Sequence, residues 1–439
     1  MIIRNKPKLI IPTMTMIILA LFLIPTLNEI SPLIQKKYYS IPAVNNNSTP
    51  VTDIDDNTES AVNKANVEFG NARNRLEKMK QAYYAWAVPD QTGLIQGANN
   101  AKLFGVKGDG VTDDTAKIQE LIDSLPRDST VFFPAGNYII NGKLIFTKEI
   151  AIYGEQNTFF DCSEARETIL RINPNGSSTS YINDITITGV DFTGPGFESD
   201  SALVDAYFLK NFRFANSKMH NFGMAAIRLI SCEDSVIEGC IFDNVFKERQ
   251  GYGIAVLNAC NNIHIRYNYF VNKGRQGVSI GRLRPTQNPE QYPGIIYISN
   301  NYFENMVEEA IYSESPSTGT IIFDNNVIYN CHKAIQFLDG AANIHDNVVL
   351  DCPLGIILRG NNVSYVVKNN TIVTVRWESI YVDCRNVHIL NNILKGGQIT
   401  CLSTTDSVIH GNYIQDVQTP LNISPVDPTI LIKDNILRT

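Results

Sequence analysis

The chain has 439 residues, 44% of them hydrophobic and 18% charged, with a formal net charge of −7. That is enough apolar material for one large core plus accessory segments. The mild acidity, without a basic stripe interleaved with aromatics, excludes a nucleic-acid-binding protein, and the cysteines form no C-x-x-C or Cys/His cluster of the kind zinc needs.

Residues 1–39 read as a signal anchor. Arg4, Lys6 and Lys8 precede an uncharged run from Leu9 to Leu27, about 19 residues and near the length that crosses a bilayer. No A-x-A site follows, which favours an uncleaved anchor over a removed signal peptide. The basic flank leaves Met1 in the cytoplasm and the rest of the chain membrane-anchored outside it; cleavage would make the chain secreted. Residues 40–58, with Asn45, Asn46, Asn47, Ser48 and Thr49 in a row, read as a disordered tether. Over 59–88, Val62, Ala65, Phe69, Ala72, Leu76, Met79, Tyr83 and Trp86 recur at intervals of three and four. This heptad seam predicts a helix that Pro89 ends. It serves either an oligomerising stalk, as a homotrimer or another homo-oligomer, or one helix lying on the rest of the chain.

The segment 102–123 carries Gly108 and Gly110, which suit a tight turn. Thr112 is placed to cap a helix whose Ile118, Leu121, Ile122 and Leu125 share one apolar face. The stretch FGVKGDGVTDDTAKIQ, with VFFPAGNYII at Val131–Ile140, resembles the entry segment of the pectate-lyase-like superfamily. The resemblance implies a right-handed parallel β-helix, its open first coil covered by this helix, and a habit of acting on acidic polysaccharides.

From Asp184 onward a phrase rich in Val, Ile, Phe and Tyr recurs around an asparagine: Asn268, Asn301, Asn326, Asn347, Asn370, Asn392, Asn412 and Asn435. A repeat of roughly 20–25 residues marks a solenoid, and these copies are too short and too β-branched to be helical. A second column, Ile227, Ile254, Val278, Ile311, Ile335, Ile356 and Ile380, follows a uniformly small residue in each copy, as at a tight corner. Residues 100–439 are thus an all-β, single-stranded parallel β-helix of about ten coils, with like residues stacked about 4.8 Å apart and the asparagines forming a ladder. Cys232 and Cys260, and Cys331 and Cys352, fall at matching positions of adjacent coils. They read as core or turn ladders, close enough to bond in an oxidising compartment.

Outward positions beside the second column gather polar groups on a few coils. Tyr252, Arg275–Gln276, Glu308–Glu309 and His332–Lys333 precede it, Tyr312, Gln336 and Tyr381 follow, then Glu314 and Arg359. Trp377 extends the patch, and the insertion carrying Arg282, Arg284 and Tyr292 walls it. RQGVSIG at Arg275–Gly281 resembles the G-H-G-I-S-I-G segment of polygalacturonases, but Gln276 stands in the place of their histidine. Their paired aspartates, N-T-D and R-I-K segments are absent, as is the D-P-H motif of alginate epimerases.

Two chemistries fit the patch. In β-elimination from a uronate, Lys333 or Arg275 takes the proton while a cation neutralises the carboxylate, with Glu308, Glu309 or Glu314 as ligands for calcium. In hydrolysis, Glu309 and Glu314 are the acid pair. Tyr252, Gln276, Arg282, Tyr312, His332, Gln336, Arg359, Trp377 and Tyr381 would bind substrate. The competing class is a non-catalytic glycan-binding or structural surface protein, in which Arg275–Glu308–His332 and Gln276–Glu309–Lys333 are exposed charge ladders. On either reading Arg275, Glu309 and Lys333 should point outward on three consecutive coils, and Lys333→Ala should leave folding nearly unchanged.

Overall fold

The computed structural model describes residues 56–87, 97–197, 199–200, 202–283, 292–314, 319–360, 363–374 and 376–438. The expected anchor and all but the end of the tether lie outside these residues. Among the described residues no helix is long and apolar enough to cross a membrane.

Each coil gives one short strand to each of three sheets, A, B and C, in that order. Among the described residues the strand paths of sheets A and B run through 14 strands and that of sheet C through 12. Neighbouring strands pair in parallel and in register, for example Ile265↔Ile298 in A, Phe270↔Phe303 in B and Val278↔Ile311 in C. The β-helix has about thirteen turns, more than the ten expected. The further turns lie before the coil of Ile227, where no asparagine marks the corner: Val190 holds the ladder position in one coil and Ser217 in the next. The Ser217 hydroxyl accepts from the Val190 N–H at 3.2 Å, as an asparagine would.

The ladder runs along the corner between sheets A and B. Asn326 donates both its backbone N–H and its Nδ2 to Asn347 Oδ1, at 2.9 and 3.1 Å. Its Nδ2 also donates to the Ile298 carbonyl at 2.9 Å. The same pattern continues through Asn370, Asn392 and Asn412 to Asn435. The residue before each ladder position turns the corner in the left-handed region, as at Asn325 (φ 55°) and Asp346 (φ 57°). Asn and Asp tolerate that conformation best among residues with a side chain. The second column, Ile227 to Ile380, is fully buried. At the corner before it a Cβ on Gly253 would lie 2.6 Å from the Phe270 ring, and one on Gly277 would lie 2.5 Å from the Phe303 ring. The small residue therefore points inward, and the residue preceding it points out.

Helix α1, Asp56–Tyr84, lies along the outer face of sheet B. Ala72 and Leu76 pack on Ile241, Val271, Tyr302, Val327, Val348 and Leu350, with Met79, Tyr83 and Trp86 alongside. Arg75 donates to the carbonyls of Asn325 and Asp346 (3.0 Å to Asp346), and the Trp86 indole donates to that of Gly239 at 3.0 Å. All three acceptors are left-handed corner residues, so the helix docks on carbonyls that the corners turn outward. The seam that suggested a stalk is spent on the β-helix itself, which removes the basis for an oligomer through it.

A second helix, α2 (Thr115–Ser124), buries Ile118, Leu121 and Ile122 in the main core, at the first coils. Thr112 does not cap it; its hydroxyl donates to Asp109 at 2.8 Å. The N-cap residue is Asp114, whose side chain caps no helical N–H, and the Asp113 carboxylate before it accepts from the Thr115 N–H at 3.0 Å. All eight cysteines are free and buried.

Candidate functional site

The outer face of sheet C carries the patch. One column is Tyr252, Gln276, Glu309, Lys333 and Leu354, with Tyr252↔Gln276, Glu309↔Lys333 and Lys333↔Leu354 in register. Gln276 Nε2 donates to Glu309 Oε2 at 2.7 Å, and Lys333 Nζ donates to Glu309 Oε1 at 2.7 Å. The column beside it begins with Arg275, whose Nη2 is 2.9 Å from Glu308 Oε2. Its Nη1 donates to the Tyr252 hydroxyl at 3.1 Å, and the guanidinium lies over the Tyr252 ring at 5.6 Å. Burial works against the Arg275 charge, but the hydrogen bond to Glu308 prevails and holds its pKa above the usual value.

Arg275, Glu309 and Lys333 do share one face on consecutive coils. They are not equally open. Glu309 is 2% exposed, with a partner on each oxygen, so the expectation of an outward, accessible carboxylate is corrected. A carboxylate held by an amide and an ammonium is a support for its neighbours rather than a free acid or base. Nor does it form an acid pair with Glu314. The two stand at opposite ends of one strand, five residues apart, so their Cα atoms are about 16 Å from each other. Both Glu309 oxygens are already taken by Gln276 and Lys333 on neighbouring coils, so neither is free to face Glu314 across a scissile bond. Among the described residues no three His, Cys, Asp or Glu groups converge as metal ligands, and Glu308 and Glu309 pair with Arg275 and Lys333.

His332 is the exposed member beside Lys333. Partial desolvation of the ring, and then the Lys333 charge, lower its pKa, while the Glu309 carboxylate and a hydrogen bond to the Val307 backbone oppose them. Tyr312 sits on the adjoining outward column, in register with Ser279 and Gln336. Burial first, then Glu314 and Glu309, raise its phenol to about 12. Arg282 donates to the Tyr292 hydroxyl at 2.8 Å and lies over its ring at 5.2 Å; Arg284 lies outside the described residues. Arg359 and Tyr381 stand on later coils, the guanidinium 5.1 Å from the ring. Trp377 is there too, 40% exposed.

One ion pair on this face went unpredicted. Arg228 donates to both carboxylate oxygens of Asp205, at 2.5 Å each, and the Asp205 side chain is only 2% exposed. Arg171 precedes Asp205 in the same column. The signal was the alternation of sign in Arg171, Asp205 and Arg228 at one strand position. Arg228 follows Ile227 of the second column, but the coils of Asp205 and Arg171 lie before the first copy of that column, so the alternation could not be aligned.

The comparisons with known proteins agree with this architecture. A family described as rhamnogalacturonase A/epimerase, pectate lyase-like, matches residues 98–336, more than half of the chain. A right-handed β-helix region matches residues 287–437. Mannuronan C5-epimerase AlgE5 of Azotobacter vinelandii is 24% identical over 259 residues, 48% of this chain and 25% of that protein. The chain thus spans about a quarter of the length of that relative. Among solved structures, the surface adhesin PfbA of Streptococcus pneumoniae superposes with a TM-score of 0.55 at 16% identity, covering 77% of this chain and 90% of that one. The family 28 exopolygalacturonase of Yersinia enterocolitica gives 0.53 at 15% identity, covering 77% and 78%. Both likenesses speak to fold alone. With the coil register, the capped entry segment and the match over residues 98–336 together, the chain belongs to the rhamnogalacturonase A/epimerase, pectate lyase-like family.

Proposed function

We propose that the protein acts on an acidic, uronate-containing polysaccharide laid across the outer face of sheet C, by lyase-type proton abstraction. The observation that carries the reading is the gathering of Arg275, Glu308, Glu309, His332 and Lys333 on three consecutive coils, where Glu309 is bound by Gln276 and Lys333, Arg275 pairs with Glu308, and His332 stands beside Lys333. In this reading Lys333 and Arg275 draw in the substrate carboxylate and stabilise the charge that develops beside it. Lys333 already gives a hydrogen bond to Glu309, so it serves as a cation and His332 serves as the base. The imidazole takes the proton next to the carboxylate. The freed electron pair becomes a carbon–carbon double bond and the adjacent glycosidic C–O bond breaks. The leaving oxygen is protonated by Tyr312, whose raised pKa keeps the phenol protonated at neutral pH. Hydrolysis is less well served, because the Glu309–Glu314 pair does not form. The epimerase and exopolygalacturonase likenesses make a glycan the natural partner, and a polymer of this kind implies a location outside the cytoplasm.

The alternative is a surface protein that binds glycan without turning it over. It is favoured by the pairing of Arg275 and Lys333 with carboxylates. A panel of acidic polysaccharides incubated with the full chain separates the readings. Ultraviolet-absorbing unsaturated uronate ends are the expected product. New reducing ends without that absorbance mean a hydrolase, and binding without any product means an adhesin-like protein.

A further inference from the structure

We propose a second sugar-binding subsite on the same face of sheet C, two coils beyond Lys333, where an internal pyranose of the glycan stacks on Trp377 and is hydrogen-bonded by Arg359 and Glu378. It rests on the reading that a glycan lies along this face. Between Lys333 and Trp377 two outward columns turn apolar for one coil, with Leu354 following Lys333 and Ile357, 6% exposed, following Gln336, while Arg359 closes that coil. Polar and aromatic groups then return together. The Trp377 N–H donates to the Pro353 carbonyl at 3.2 Å and the Gly355 N–H to the Glu378 carbonyl at 3.0 Å, so these residues open the next coil where His332 and Lys333 open theirs. Ile357↔Tyr381 and Arg359↔Asp383 complete the pairing.

Three features point to a ligand. Trp377 is 40% exposed, the one tryptophan among the exposed large hydrophobics of the described residues, and an indole face suits the C–H face of a pyranose. Arg359 is held over the Tyr381 ring, yet its buried Nε–H has no hydrogen-bond partner. A buried donor of that kind costs free energy until an acceptor arrives, and a sugar hydroxyl or carboxylate is one. Glu378 has no cation within ion-pair distance among the described residues, although Arg359 stands one coil away. Burial raises its pKa, so it is suited to donate as well as accept. Two coils are about 10 Å, close to the length of two linked pyranose units. A chain engaged at Lys333 would reach Trp377 two sugars on.

The protein has two tryptophans, and Trp86 is committed to the Gly239 carbonyl. Trp86→Phe therefore leaves Trp377 as the only indole reporter. Titrating this variant with polymannuronate and polygalacturonate oligomers of graded length should quench or shift its fluorescence. The effect should appear only once the oligomer is long enough to pass the Lys333 coil. Arg359→Ala or Glu378→Gln should weaken the titration about tenfold, or 1.4 kcal/mol, while His332→Gln, which removes the base and leaves both cations, should abolish turnover with the long-oligomer response in place. Calorimetry on the unmodified chain reads binding independently of the variants. If an oligomer is bound or turned over and Trp377 stays silent, the subsite is overturned and the function above stands. If Trp377 responds and nothing is turned over, the subsite stands and the lyase reading falls. If no oligomer binds at all, both fall.

Discussion

The Glu309–Lys333 pair decides how this face responds to mutation. Read as an exposed ladder charge, Lys333 contributes almost nothing to folding. The structure reverses that expectation, because Lys333→Ala leaves the buried Glu309 carboxylate with only Gln276. Removing one partner of a buried pair costs about 3–5 kcal/mol, and the partial exposure of Lys333 puts the expected loss near the lower end. Urea titration of Lys333→Ala against Lys333→Ala/Glu309→Leu checks this. The double variant should recover most of the loss, and an unchanged single variant would show that the carboxylate is solvated. His332 yields the second prediction. A base acts in its neutral form, and burial and Lys333 lower its pKa. The acid limb of kcat/KM should therefore lie below the ordinary imidazole value of about 6.5, and His332→Gln should remove that limb along with the activity. The register that brings Arg275, Glu309 and Lys333 together was readable from the small residues Gly277, Ala310 and Ala334. Which of them water reaches was not, because periodicity places a side chain on a face without saying what its neighbours cover.

Among the elements, the ladder corner and α1 show two ways of satisfying the same backbone. The ladder asparagine accepts twice from the coil before it and donates both to a carbonyl of that coil and to the asparagine of the next, as Asn347 does. Asn347→Ala strands the buried Asn326 N–H and takes a donor from the Phe323 carbonyl, while Asn326 Nδ2 keeps the carbonyls of Ile298 and Asp324; the change should cost about 1–3 kcal/mol. Asn435→Ala, at a part-buried position, should cost about 1 kcal/mol. Equal losses in chemical denaturation would mean that the ladder is not what holds the corners. The ladder was visible in the sequence because only Asn supplies both roles at that spacing. The fate of α1 was not, since a heptad seam fits a partner helix and a flat apolar sheet equally well. The difference lies in Tyr302, Val327 and Val348, outward residues of sheet B that no helical period reveals. Leu76→Ala should therefore destabilise a single chain by about 2–4 kcal/mol, with a midpoint independent of protein concentration. A concentration-dependent midpoint would restore the stalk.

Across the whole molecule, stability is close to a sum of coil-to-coil terms, and each interior coil has a neighbour on both sides. The ends are not equivalent. The first coils lie under α2, whose Ile118, Leu121 and Ile122 are buried. The last coil has no such cover among the described residues. The strand Leu431–Lys433 is exposed throughout, and Leu431 and Ile432 retain 55% and 44% of their accessibility. In the middle, Ile263–Phe303 is clamped by ladder asparagines inside and by stacked Phe242, Phe270 and Phe303, with ring centroids 4.6 Å apart. Opening should therefore start at the C-terminal end and proceed coil by coil toward the patch. Native-state hydrogen exchange should find the amides of residues 408–438 exchanging first and those of 263–303 last, with a graded rise between them. Exchange beginning under α2 would mean that the helix seals the first coil less well than its buried face implies. Uniform protection from end to end would mean that the coils unfold as one unit rather than in series.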